Sequence, residues 1–96
     1  MNYKILIVDE AKNDFRKAQT WYKNIDSKLA GRFLLSFKKS LFDIKRNPLH
    51  FQITYDDVRI VVLYTFPYLI HYSIRKDIIV IQAIYHSSRD SKLNSK

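Results

Sequence analysis

The fold is decided by the stretch Val58–Asp90, which reads VRIVVLYTFPYLIHYSIRKDIIVIQAIYHSSRD. It contains three runs rich in β-branched and aromatic residues, separated only by Phe66-Pro67 and by the turn at positions 75–77. Such short separators join antiparallel neighbours, because a parallel pair needs a long crossover. The stretch therefore predicts an antiparallel meander that forms the sheet of the domain and runs into His86 and Arg89.

A strand and two helices are predicted upstream of this meander. The β-branched run Tyr3–Val8 predicts a strand buried on both faces, and Asp9 is the expected cap of the helix that follows. Asp26-Ser27 interrupts the helical pattern and offers a second N-cap, and the second helix should end near Asn47-Pro48 because proline disfavours helical geometry in the residue before it. The apolar stripes that support the two helices are Phe15, Ala18, Tyr22 and Ile25, and then Leu29, Phe33, Phe37, Leu41 and Ile44.

The remaining segments complete an α+β fold. Phe51–Tyr55 predicts a short strand, Asp56-Asp57 a turn, and the run that begins at Arg59 is apolar on both faces, which favours a central strand. The predicted order is β-α-α-β-β-β-β: an N-terminal strand, an antiparallel helical hairpin that covers one face, and an antiparallel-rich sheet. We expect one domain over residues 1–90 and a polar, flexible tail over residues 91–96.

Charge and composition narrow the function classes. The formal net charge of +8 suits a partner that is a nucleic acid, an anionic membrane or an acidic protein. The chain has no cysteine, and three scattered histidines, His50, His71 and His86, make a weak case for a metal, so neither a metal nor another cofactor is implied. No apolar run approaches the ~20 residues that span a bilayer, which favours a cytoplasmic protein that does not enter a membrane.

The side chains at the strand ends suit RNA cleavage without a metal. This reaction deprotonates a 2′-hydroxyl, stabilises a phosphorane and protonates the leaving 5′-oxygen. Arginine matches phosphate oxygens with its planar fork, and histidine titrates near neutrality. The candidate set is Arg59, His86 and Arg89, with Tyr72 or Tyr85 nearby.

Each of these residues also has a structural interpretation. Arg59 could pair with Asp56 or Asp57 across the turn, and His86 could bond to backbone at its strand end. Arg89 lies in a polar segment where an exposed arginine is common. The tyrosines are β-favouring sheet residues, and the strand register that would bring the set together is not fixed by the sequence.

The order and spacing of several segments resemble the RelE/ParE superfamily of bacterial toxins. The resemblance covers nearly the whole chain and rests on Asn47-Pro48 after the second helix, Arg59 before the third β-run, Phe66-Pro67-Tyr68 followed by Ile70 and Tyr72, and the closing run Ala83-Ile84-Tyr85-His86-Ser87-Ser88-Arg89. It implies a growth-inhibiting toxin of a type II toxin-antitoxin pair, neutralised by a cognate, often acidic antitoxin.

The superfamily holds two activities, and the hypothesis favoured from the sequence is ribosome-dependent mRNA cleavage without a metal, with gyrase inhibition as the alternative. RelE-like members cut mRNA on the ribosome, which would make His86 the general acid or base, Arg59 and Arg89 the phosphate stabilisers, and Tyr85 or Tyr72 a positioning partner. ParE-like members inhibit DNA gyrase by binding it, which would assign the interface to the basic helical hairpin and the tail. The absence of lysine between Asn47 and Ile74 departs from the nuclease pattern. A third hypothesis is a decayed toxin that only binds its antitoxin.

Overall fold

A computed structural model describes residues 2–88 of the chain, so Arg89 and the tail predicted over residues 91–96 lie outside the described part. The order β-α-α-β-β-β-β and the α+β class are confirmed. The elements are β1 (Lys4–Ile7), α1 (Asp9–Ile25), α2 (Ser27–Arg46), β2 (Ile53–Tyr55), β3 (Val58–Val62), β4 (Tyr68–Arg75) and β5 (Ile78–His86). Neither helix has the combination of length and apolar character needed to cross a membrane.

The five strands form one sheet in the order β1-β5-β4-β3-β2. Strands β3 to β5 make the predicted antiparallel meander, β2 pairs antiparallel with β3, and β1 pairs with β5 in parallel. The prediction that β1 is buried on both faces is wrong, because Leu6 is 53% exposed and β1 is an edge strand. Strand β3 lies inside the sheet, hydrogen-bonded to β2 and β4. Apolar residues on both faces of a strand therefore do not show that both faces are covered.

Both helices pack on one face of this sheet. The core between the two layers contains Phe33 from α2, Ile70 and Tyr72 from β4, and Ile81 from β5, all fully buried. Phe15 packs α1 against α2, since its ring stacks on Phe33 at 5.2 Å between centroids. The helical stripes of the sequence therefore face the sheet as predicted, with the exception of Ile25, which lies at the end of α1 and is exposed.

Short-range hydrogen bonds set the helix ends. The Asp26 carboxylate accepts from the Lys28 backbone N–H at 3.0 Å, which confirms the predicted N-cap of α2. The predicted cap of α1 is wrong, because Val8 is the N-cap and Asp9 is the first helical residue. At that position the negative charge of Asp9 still interacts favourably with the positive end of the helix dipole. Helix α2 ends at Arg46, as the Asn47-Pro48 signal predicts.

Candidate functional site

Arg59 and Tyr72 are cross-strand neighbours on the helix-covered face of the sheet. The Arg59 guanidinium donates to the backbone carbonyl of Phe51, and the Tyr72 hydroxyl donates to the carbonyl of Pro48 at 2.6 Å. Both carbonyls belong to the segment that connects α2 to β2. One interpretation of the sequence paired Arg59 with Asp56 or Asp57, and the structure shows a backbone carbonyl as its partner instead. The Asp57 carboxylate instead accepts from Arg75, which lowers the pKa of Asp57.

The protonation state of Tyr72 follows from its burial. Its side chain is fully buried, which raises the pKa of Tyr72 to about 12, and the nearby Arg59 charge opposes this rise to a smaller extent. Tyr72 is therefore protonated at neutral pH and acts as a hydrogen-bond donor. Together with Arg59 it holds the α2–β2 connection against the sheet.

His86 lies on the same face of the sheet but at the other end. Its Cα pairs with that of Tyr68, and the two rings meet edge to face at 5.1 Å between centroids. The imidazole Nδ1 accepts from the Ser88 backbone N–H at 3.1 Å, which assigns the proton of the neutral ring to Nε2. The next residue, Ser87, donates its N–H to the Pro67 carbonyl at 2.8 Å and fixes the strand end. The imidazole remains half-buried at the rim of the core.

Tyr85 lies on the opposite face of the sheet, which the helices do not cover. Its ring meets that of His71 at 5.0 Å, and the His71 Nδ1 lies 3.0 Å from the hydroxyl of Tyr55 on β2. Burial, followed by the neighbouring Tyr85 and Asp56, raises the pKa of Tyr55, so this hydroxyl is protonated at neutral pH. The pairing of Tyr55 with His71 was not predicted, and the sequence carries no signal for it because the two residues lie on different strands.

The structure brings together two of the five predicted site residues. Arg59 and Tyr72 are adjacent, whereas His86 pairs four residues further along β4, roughly 13 Å away at the rise of a β-strand. Tyr85 is separated from both by the sheet itself, and Arg89 lies outside the described residues. The register that the sequence left open therefore places Arg59, Tyr72 and His86 on one face and Tyr85 on the other.

A β-bulge in β5 determines which of Tyr85 and His86 shares the face of Tyr72. Tyr72 pairs with Ile81 and the preceding His71 pairs with Ala83, so Gln82 is the extra residue of β5. The alternation of the strand changes phase at this position. Without the bulge, Tyr85 would share the face of Tyr72.

No group of three or more potential metal-ligating side chains occurs within residues 2–88. Charge is concentrated on α2, the second helix of the hairpin that was predicted to be basic. Six cationic side chains stand on α2 against one acidic residue, whereas α1 carries four against three. The six, all exposed, are Lys28, Arg32, Lys38, Lys39, Lys45 and Arg46.

The fold and this surface define a class of small α+β domains in which a basic helical hairpin packs on an antiparallel-rich sheet. The family model described as "ParE toxin of type II toxin-antitoxin system, parDE" matches residues 5–91. The chain therefore belongs to the ParE toxin family of type II toxin-antitoxin systems.

A solved structure titled "Chromosomal ParDE TA system from P. aeruginosa" has the same fold, with a TM-score of 0.77 at 12% sequence identity. The alignment covers 88% of this chain and 95% of that one. No curated protein sequence matches the chain significantly.

Proposed function

We propose that this protein is a growth-inhibiting toxin that acts by binding DNA gyrase and is neutralised by a cognate antitoxin. The observation that carries the proposal is the dispersal of the described candidate catalytic residues, of which Arg59 and Tyr72 hold the α2–β2 connection. Membership of the ParE family supports the same mechanism, since ParE-like toxins inhibit gyrase without hydrolysing a substrate. The concentration of exposed charge on α2 suits a protein interface.

Ribosome-dependent mRNA cleavage is the second candidate function, and one observation favours it. The His86 imidazole is half-buried at a strand end three residues before Arg89, so it keeps access to the surface. In this hypothesis His86 would move protons, while Arg59 and Arg89 would bind the phosphate and Tyr85 or Tyr72 would position the substrate. The third candidate function is that of a decayed toxin, which binds its antitoxin without inhibiting growth.

Two assays on the purified protein separate these hypotheses. The first measures the supercoiling activity of gyrase, and the second maps mRNA ends in a reconstituted translation reaction with and without ribosomes. We expect inhibited supercoiling and intact mRNA. The variant His86→Ala should retain the inhibition, because the gyrase mechanism uses no proton transfer.

Other outcomes of these two assays would support one of the alternative functions. Cuts that require ribosomes and disappear in His86→Ala would overturn the gyrase proposal and establish the nuclease. A folded protein that is inactive in both assays but still binds its antitoxin would be the decayed toxin.

A further inference from the structure

The loop that joins β3 to β4 presents three exposed side chains at the end of the hairpin. Val62 is 64% exposed and Tyr64 is 65% exposed, and they alternate with Val61 and Leu63, which are buried. Thr65 follows directly and is also exposed. We call Val62, Tyr64 and Thr65 the hairpin tip. These side chains stand at the end of two strands with most of their surface in solvent, so the hairpin tip is convex.

The backbone of the hairpin tip is strained at Thr65. Its φ angle is 66°, in the left-handed region that β-branched residues rarely adopt. Glycine or asparagine would hold this conformation with less strain, so threonine lowers the stability of the free protein. A strained residue persists where the surrounding structure fixes it, and such residues cluster at binding sites. The strain is therefore the first sign that the hairpin tip contacts a partner.

Contacts on the inner side of the loop fix the conformation of the hairpin tip. The buried Ser36 hydroxyl of α2 donates to the Tyr64 carbonyl, and the Thr65 hydroxyl donates to the same carbonyl at 2.6 Å. The Phe66 ring packs edge to face against the core residue Phe33 at 5.4 Å between centroids. The hairpin tip is therefore held in one conformation before any partner binds, which reduces the entropy lost on association.

The hairpin tip lies in an uncharged segment of a basic chain. No charged residue occurs between Val62 and Tyr68, although the net charge of the chain is +8. An acidic antitoxin and a nucleic acid are both attracted by cations, so the hairpin tip offers them little. A second copy of the chain would bring the same net charge, and the resulting repulsion opposes self-association. A convex, rigid and uncharged surface suits an apolar pocket of another folded protein.

We propose that the hairpin tip inserts into an apolar pocket of DNA gyrase and anchors the toxin on its target. Tyr64 is the centre of this contact, because tyrosine brings a large rigid ring and a hydroxyl that can bond at the pocket wall. Lys39 of α2, whose ammonium lies 5.9 Å from the centre of the Tyr64 ring, stands at the rim. A charge at the rim of an interface governs mainly the rate of association. The proposal rests on the proposed function, which supplies the folded target.

The test measures the affinity of full-length toxin variants for purified gyrase by calorimetry, and their half-inhibitory concentrations in the supercoiling assay. Tyr64→Ala should weaken both by at least ~10-fold, as expected for the central residue of an interface. Its melting temperature should stay close to that of the wild type, because Tyr64 is mostly exposed. The control Leu49→Ala removes a side chain that is 63% exposed in the α2–β2 connection. It should keep both values within about twofold of the wild type.

Thr65→Asp separates binding from folding. Aspartate tolerates a positive φ better than a β-branched residue, so the melting temperature of the free toxin should not fall. The added charge should nevertheless weaken gyrase binding by at least ~10-fold, because burial of an unpaired carboxylate in an apolar pocket carries a large desolvation cost. The matched control Leu49→Asp places the same charge at an exposed position outside the hairpin tip, and should leave gyrase binding unchanged.

A failure of the proposed contact is distinguishable from a failure of the proposed function. If the wild type inhibits gyrase and both Tyr64→Ala and Thr65→Asp remain within about twofold of it, the contact alone is overturned. A wild type that neither binds nor inhibits gyrase would refute the proposed function and the contact with it. Unchanged gyrase inhibition with weaker binding of the antitoxin, or of DNA by the toxin alone, would also overturn the contact and would assign the hairpin tip to that partner.

Discussion

The two sides of α2 differ in the burial of their apolar side chains. On its inner side Phe33, Phe37 and Ile44 are buried against the sheet, and the aromatic rings stack with Phe15 of α1. On its outer side Leu35 and Phe42 are as apolar but remain exposed among cations. The first set belongs to the core, whereas the second set does not, and the Arg46 guanidinium lies 5.7 Å from the centre of the Phe42 ring. The inner residues therefore stabilise the fold, and the outer residues contribute little to it.

Truncation of one phenylalanine on each side of α2 tests this contrast most directly. Phe33→Ala should lower the free energy of unfolding by about 3–5 kcal/mol, because it removes a fully buried ring and leaves a cavity. Phe42→Ala should change it by no more than about 0.5 kcal/mol, since the ring is exposed. Urea unfolding of the free toxin measures both. A cost of several kcal/mol for Phe42→Ala would break the distinction, because Phe42 would then belong to the core.

Tyr72 extends the comparison to polar groups, because its hydroxyl is bonded inside the helix–sheet interface. Its folded-state pKa of about 12 exceeds the ordinary value of 10.0, so folding favours the protonated form. The corresponding stability is complete below about pH 10 and is lost as the pH rises towards 12. Tyr72→Phe should cost about 1–3 kcal/mol at neutral pH, because the Pro48 carbonyl loses its donor.

The pH profile identifies Tyr72 as the source of this dependence. Other groups titrate in the same range, including Tyr55, whose pKa is also raised, so the informative quantity is the difference between wild type and Tyr72→Phe. That difference should shrink as the pH rises above 10. Urea midpoints at several alkaline pH values measure it. A difference that is constant with pH would show that the hydroxyl does not titrate in the folded state as its burial requires.

The sequence predicted the inner side of α2 better than it predicted the site. Apolar residues at helical spacing and an aspartate N-cap report local geometry, so both helices were predictable. The parallel pairing of β1 with β5 was not predicted, because it joins the two ends of the fold. The placement of Tyr85 and His86 depends on the bulge at Gln82, which reverses the alternation of β5, and a single extra residue carries no compositional signal.

The hydrogen-bond acceptor of Arg59 could not be predicted from the sequence for a different reason. It is the backbone carbonyl of Phe51, and every residue has a carbonyl, so only the three-dimensional arrangement identifies this acceptor.

The ion pair between Asp57 and Arg75 should show the smallest effect, although its hydrogen bond is direct. The guanidinium lowers the pKa of Asp57, so the stabilisation is present above the ordinary carboxyl pKa of 3.8 and is lost as the pH falls through the lowered value. Both side chains are exposed, so water and salt screen the interaction. Asp57→Asn should therefore leave the urea midpoint at neutral pH nearly unchanged. Any small difference between the midpoints of the variant and the wild type should disappear in ~1 M salt. Tyr72 and Asp57 each have one well-placed partner and differ in burial. A loss for Asp57→Asn as large as that for Tyr72→Phe would mean that hydrogen bonding alone, and not burial, determines which polar contacts hold this fold.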